Sequence, residues 1–164
     1  MKTYHNNTKI LMVCADIKNM YTELPHDIII KSIHFMFHKI QLLRKYRKYN
    51  KISIPRSKHE KAFFGYSQNY RTHITLSFNE IISISTFDIN NVYFTSLGHV
   101  LHQIKGVPMG SPGSPSYAIC ICMYYEHQFY NSIYDIQKIS TILPTNALII
   151  RAKRYIDDVL TFVA

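Results

Sequence analysis

Residues Ala147–Ala164 read ALIIRAKRYIDDVLTFVA. Two apolar, β-rich runs, Ala147–Tyr155 and Val159–Ala164, flank Ile156-Asp157-Asp158. Runs of this kind around a short polar break predict a strand, a tight turn and a second strand. An Asp-Asp pair is common in turns, so the dipeptide alone says little. Two hydrophobic strands around it are more specific, because that arrangement holds carboxylates rigidly.

Working outward, Ile10–Ala15 (ILMVCA) predicts a short buried strand ending at Asp16. A carboxylate at the end of a buried strand must be solvated, paired or metal-bound. Bringing Asp16, Asp157 and Asp158 together without cations costs heavily in repulsion. Divalent metal resolves this, since Mg²⁺ prefers oxygen ligands and keeps room for phosphates. Two such ions about 4 Å apart activate an attacking hydroxyl and stabilise a leaving oxygen.

The segments between are helical or loop. Pro25 opens a helix whose stripe is Ile29, Ile33, Met36, Ile40 and Leu43. His34 and His38 are four apart on its flank, with no third ligand in sight to make a metal site. Phe78, Ile81 and Ile82 suggest a second helix stopped by Asn90-Asn91. Val92–Thr95 and His99–Ile104 suggest a hairpin around Ser96-Leu97-Gly98. Lys105–Gly113 is loop and holds three of the five glycines. Ser114-Pro115 predicts an N-cap and first helical residue, with the helix running to about Ile133. The order predicts an α+β fold: a small antiparallel sheet bearing the three aspartates, helices packed on one face. At 164 residues it is one domain by size.

Lys and Arg total 19 against ten Asp and Glu, giving +9. That excess suits a polyanionic partner, although a basic chain is also simply soluble. Gln41–Lys61 is the basic insertion, with Tyr46 and Tyr49 interleaved. It reads equally as a solvated helix end and loop or as a phosphate-tracking surface with stacking rings. Cys14, Cys120 and Cys122 form no disulfide framework and suit core packing in a reducing, intracellular compartment. Met1–Lys9 is polar and Ile10–Ala15 too short for a signal peptide. Lys31, His34 and His38 break the best candidate membrane span, so no membrane partner is expected.

Three stretches together resemble a known family. Asp16-Ile17-Lys18-Asn19-Met20-Tyr21-Thr22-Glu23-Leu24-Pro25 resembles the first palm motif of reverse transcriptases. Gln103-Ile104-Lys105-Gly106-Val107-Pro108-Met109-Gly110-Ser111-Pro112-Gly113-Ser114-Pro115 resembles the second, and Arg154-Tyr155-Ile156-Asp157-Asp158 the third. The form of the motifs is most similar to Penelope-like retroelements, then to telomerase and non-LTR retroelements. The resemblance runs from about Lys9 to Ala164, with the motifs in the family order.

It implies a right-hand polymerase palm that carries out RNA-templated DNA synthesis. Two Mg²⁺ ions, with Mn²⁺ as a substitute, would serve transfer from dNTPs to a DNA primer on an RNA template. Asp16 and Asp157 would be the principal metal ligands and catalytic residues, with Asp158 the supporting carboxylate. Tyr21 would lie beneath the incoming sugar and exclude a 2′-hydroxyl. Gly110, Ser111 and Pro112 would form the loop that opens the template-supporting helix, and Gln103 is a family landmark. Met109 stands where many relatives carry Gln, a trait shared with Penelope-like elements. Gly113 replaces the usual apolar residue, which predicts a looser loop, and Glu23 stands where a small amide is common.

The chain starts fifteen residues before Asp16 and ends six after Asp158. The resemblance therefore implies a truncated palm, a fragment of a longer intracellular polymerase for which the nucleus is open, without full fingers or thumb. Two rivals remain: a catalytically inactive or domesticated remnant that binds nucleic acid, and a metal-dependent nuclease using the same carboxylates.

Overall fold

A computed structural model describes residues 11–133 and 149–163. Ile10, Ala147, Leu148 and Ala164, placed in strands by the sequence pattern, and the polar Met1–Lys9 lie outside the described residues. The elements are β1 (Leu11–Asp16), α1 (Met20–Glu23), α2 (His26–Leu42), β2 (Lys51–Pro55), β3 (Phe63–Phe64), β4 (His73–Ser77), α3 (Phe78–Asn90), β5 (Tyr93–Ser96), β6 (His99–His102), α4 (Ser114–Ile133), β7 (Ile149–Tyr155) and β8 (Asp158–Val163). They make three antiparallel sheets, ordered β1-β8-β7, β3-β2-β4 and β5-β6. The chain divides into two compact units, residues 1–20 with 125–164 and residues 21–124.

The first unit holds the β1-β8-β7 sheet. Its strands form where the apolar runs predict them, and the pairing register matches Leu11 with Val163 through to Asp16 with Asp158. Among the described residues β1 is an edge strand, paired with β8 alone. Met12, Val13 and Cys14 are exposed there, against the expectation of a buried strand and a buried thiol.

The second unit is built on α2 and α3. Pro25 occupies the N-cap of α2, and Ile29 and Ile33 of the expected stripe are buried. Met36 and Ile40 are half-buried, while Leu43 is exposed at the C-cap. His34 and His38 are exposed, on the flank as expected. α3 opens on a capping box: Glu80 N–H donates to Ser77 Oγ and Ser77 N–H donates to the Glu80 carboxylate. That reciprocal pair satisfies donors the first turn leaves free. Phe37 stacks on Phe78 at 4.4 Å, and Phe64 meets Phe78 edge-on, so the β2-β3-β4 sheet is anchored to both helices. Of this sheet only β2 falls within residues 41–61, where a helix end and loop is one of the two readings; β3 and β4 lie beyond that segment. Tyr46 packs on Phe64 at 4.7 Å, so one of the two interleaved tyrosines belongs to the core side of the sheet.

The expected hairpin is β5-β6, closed by Ser96 opposite His99. Leu97 and Gly98 both take positive φ, 50° and 80°, the two-residue turn whose twist suits paired strands. Cys120 and Cys122 are both buried on α4, and burial pushes the Cys120 thiol above its ordinary pKa. No described helix is long and apolar enough to cross a membrane.

Candidate active site

The site's first part is the turn between β7 and β8. Tyr155 pairs with Asp158, leaving Ile156 and Asp157 as a two-residue loop. Ile156 has φ 53°, a left-handed conformation that a β-branched residue adopts only under strain. The cost is about 1–3 kcal/mol and must be met by surrounding contacts. Two such contacts are evident. Arg154 Nη1 donates to the Ile156 carbonyl at 2.9 Å, and Ile17 N–H donates to the Asp157 carbonyl at 3.0 Å. Arg154 is itself held by Glu126, with Nε to Oε1 at 2.5 Å and Nη2 to Oε2 at 3.3 Å. This is a two-pronged guanidinium–carboxylate pair, stronger and more directional than a single bond.

Asp16 and Asp158 are direct cross-strand partners. Residues so paired share a face with Cβ atoms about 4.5–5.5 Å apart, and like charges there repel. Asp157, half-buried, sits on the adjoining turn. Thus the structure gathers the three sequence-predicted aspartates at one end of one sheet. Asp16 and Asp158 are exposed, and among the described residues no ion pair involves any of the three. Also among the described residues, no three His, Cys, Asp or Glu groups converge on a single point. The three carboxylates supply oxygen, the donor type hard divalent cations favour, but as placed here they do not form a closed set of ligands.

The remaining sequence-predicted residues belong to the second unit. Tyr21 is half-buried on α1, and its carbonyl accepts from Val107 N–H at 2.7 Å. Gly106 N–H donates to the Leu24 carbonyl at 2.8 Å, and Lys105 forms an ion pair with Glu23. The motif loop is therefore bonded directly to the turn that carries Tyr21. Gly106 makes this approach possible. Its φ is 78°, and a Cβ there would lie 2.7 Å from the carbonyl oxygens of Tyr21 and Thr22. His26 completes the attachment, donating from Nε2 to the Gly106 carbonyl at 2.8 Å.

Gln103 turns its amide back to the Lys105 carbonyl at 2.9 Å, while its N–H donates to Val92. Gly110 and Pro112 are exposed, and Gly110 has open space where a side chain would go. Ser111 N–H donates to the Pro108 carbonyl at 3.2 Å. Ser114, the expected N-cap, is buried at the start of α4 and donates its hydroxyl to the Pro108 carbonyl at 2.5 Å. It thus closes the loop. Gly113 does not leave the loop loose: a Cβ there would sit 2.9 Å from the Tyr117 ring, which fills the space. Tyr117 hydroxyl donates to Asp88 Oδ2 at 2.8 Å. Burial, then the Asp88 carboxylate, pushes its pKa up to about 12.

His26, Glu126 and Tyr117 were not singled out by the sequence, whereas Gly106 was marked as one of the glycines clustered between residues 106 and 113.

No family model and no curated protein matches the chain. Its structure is similar to telomerase from Candida albicans, solved in complex with a TWJ fragment of telomeric RNA. That likeness has a TM-score of 0.62 and 14% identity, and covers 94% of this chain and 23% of that one. It is also similar to apo telomerase from Candida tropicalis, with TM-score 0.55 and 15% identity over 94% of this chain and 23% of that one. The chain therefore spans less than a quarter of the telomerase chains it matches. The likeness is one of fold, a palm-like α+β arrangement of small antiparallel sheets and four helices.

Proposed function

We propose that this chain is the palm of an RNA-templated DNA polymerase, most similar in its motifs to Penelope-like retroelement enzymes. The observation that carries the proposal is the register that sets Asp16 opposite Asp158, with Asp157 on the adjoining turn. The telomerase-like fold supports it. Asp16 and Asp157 would be the main ligands of two Mg²⁺ ions and Asp158 the supporting one, after side-chain rotation at exposed positions. The ions, when bound, would neutralise phosphate charge and lower the pKa of the primer hydroxyl.

The chain's own residues supply position. The turn bonds from Arg154 and Ile17 fix the backbone that carries Asp157, so little reorganisation is needed at the moment of reaction. Tyr21, tied by its carbonyl to Val107, would present an aromatic wall beneath the sugar of the dNTP. Gly110, Ser111 and Pro112 would line the entrance to α4, where exposed backbone can approach a nucleotide closely. Gln103 would hold the hairpin strand to this loop through Lys105.

The test is primer extension on an RNA template by the intact protein. Asp157→Asn should abolish synthesis while leaving the fold intact, and retained synthesis would refute the assignment. A second reading, nucleic-acid binding without catalysis, is favoured by the concentration of positive charge in residues 41–77, away from the aspartates in the chain. Binding that is retained without any dependence on divalent metal, together with no synthesis, would select it.

A further inference from the structure

Lys and Arg are absent from residues 72–104 and from residues 106–137, although the chain holds 19 of them. Lys105, which stands between the two stretches, is paired with Glu23. The stretches carry α3, the β5-β6 hairpin, the motif loop and α4. A surface built from them alone has no lysine or arginine to neutralise phosphates, so it is unsuited to nucleic acid. It suits a ligand of the opposite sign.

The two stretches enclose a cavity of about 250 Å³ between the end of α3, the start of β5 and the loop before α4. Small-molecule sites run from about 300 to 1,000 Å³, so this one has room for a single ring or a short chain. Its apolar walls are Ile89, Val92, Val107 and Pro108, and Tyr93 and Tyr117 add two aromatic rings. Both rings are held. Tyr93 stacks on His102 at 4.9 Å, and His102 Nε2 donates to the Asn90 carbonyl at 2.8 Å. Tyr117 donates to Asp88 Oδ2 at 2.8 Å and, with its pKa pushed up to about 12, keeps that proton at neutral pH. Asp88 is the one acidic residue of the lining. Among the described residues it forms no ion pair, and the last turn of α3 has no basic residue. A helix C-terminus carries partial negative charge, which adds to that of the carboxylate. Asn91, also in the lining, spends its amide nitrogen on the Phe87 carbonyl at 2.7 Å, which leaves its Oδ1 to accept. The polar groups at this end of the cavity therefore call for a donor, and tyrosine ring faces attract a positive one.

We propose that this cavity is a binding site for a small organic cation: one ring or short apolar chain bearing an amidine, guanidine or amine. The walls take the apolar body, and Asp88 and Asn91 accept from the charged head. Hydrogen bonds between ionised partners are roughly twice as strong as neutral ones, so a neutral ligand of the same shape binds less well. Of the residues proposed to meet nucleotide only Ser111 lines the cavity, so the site does not rest on the polymerase reading. Ser111 N–H and the Ser114 hydroxyl both donate to the Pro108 carbonyl. A cation bound against Pro108 and Ser111 would therefore brace the whole motif loop from its α3 side.

The experiment is a titration of benzamidine into the isotope-labelled whole chain, followed by two-dimensional amide NMR, with benzamide as the neutral match in shape. Benzamidine should shift the amides of Asn91, Val92, Tyr93 and Ser111 along saturating curves. The dissociation constant should be about 1–10 mM, the range for one ring and one charged contact. Benzamide should bind about tenfold more weakly. Asp88→Asn keeps an acceptor for the Tyr117 hydroxyl, and should weaken benzamidine about five- to tenfold while leaving benzamide unchanged. Val92→Phe fills the cavity and should abolish the shifts from both. The spectra themselves report whether each variant folds. An unfilled packing gap would give no saturating shifts, and that result would overturn the proposal. So would equal binding of benzamide and benzamidine, undiminished binding by folded Asp88→Asn, or shifts produced only by an arginine-containing peptide, which would make the surface one for docking protein.

Discussion

Ile156 at φ 53° would spring out of its conformation if nothing held its carbonyl, and Arg154 holds it. The Arg154 side chain is 13% exposed, so its loss is not compensated by water. Arg154→Met should lower stability by about 2–4 kcal/mol, the range for removing a charged partner from part-buried bonds. Arg154→Lys should recover little, because an ammonium cannot form the fork to Glu126. Urea denaturation measures both, and full recovery by lysine would show that charge alone matters. Gly106→Ala should cost about 2–4 kcal/mol, combining positive-φ strain with a 2.7 Å approach to two carbonyls. A folded, unperturbed Gly106→Ala protein would contradict the tight attachment of loop to α1. Tyr21→Ala should admit ribonucleotides, shifting sugar discrimination by about 10–100-fold, as removal of a steric wall does. An unchanged ratio in single-nucleotide incorporation would remove Tyr21 from the sugar site.

At the scale of elements, α3 and the acidic hairpin follow most directly from local pattern. Ser77 and Glu80 are spaced as a capping box, and Ser77→Ala should cost about 1 kcal/mol. The Ser77 hydroxyl and backbone N–H lower the Glu80 pKa. A depressed carboxylate contributes stability above its unfolded pKa and loses it as pH falls through the folded one. Ser77→Ala should therefore flatten the acid limb of a stability–pH curve; an unchanged limb would count against the cap. β1, β7 and β8 were legible because apolar runs ended at aspartates. The β2-β3-β4 sheet was not read, although Lys51-Ile52-Ser53-Ile54-Pro55 and His73-Ile74-Thr75-Leu76-Ser77 both alternate with period two. Their strands are short, and dense charge in residues 44–61 drew the reading toward solvated loop.

At the scale of the whole molecule, the α+β class and the gathering of Asp16, Asp157 and Asp158 were legible from hydrophobic runs and motif order. The supports of the site were not. Arg154 reaches a glutamate 28 residues away, and His26 reaches a carbonyl 80 residues away. No local period encodes such partners; only the fold brings them together. Two carboxylates set opposite each other across strands destabilise an apo sheet, so metal should stabilise this protein by binding only its folded state. The most direct measurement is electron paramagnetic resonance of Mn²⁺ titrated with the chain. The account predicts loss of the free-ion signal, competition by Mg²⁺, and affinity at least about tenfold weaker in Asp16→Asn or Asp157→Asn, as removal of an ion-binding carboxylate requires. Equal Mn²⁺ binding by wild type and both folded variants would contradict it.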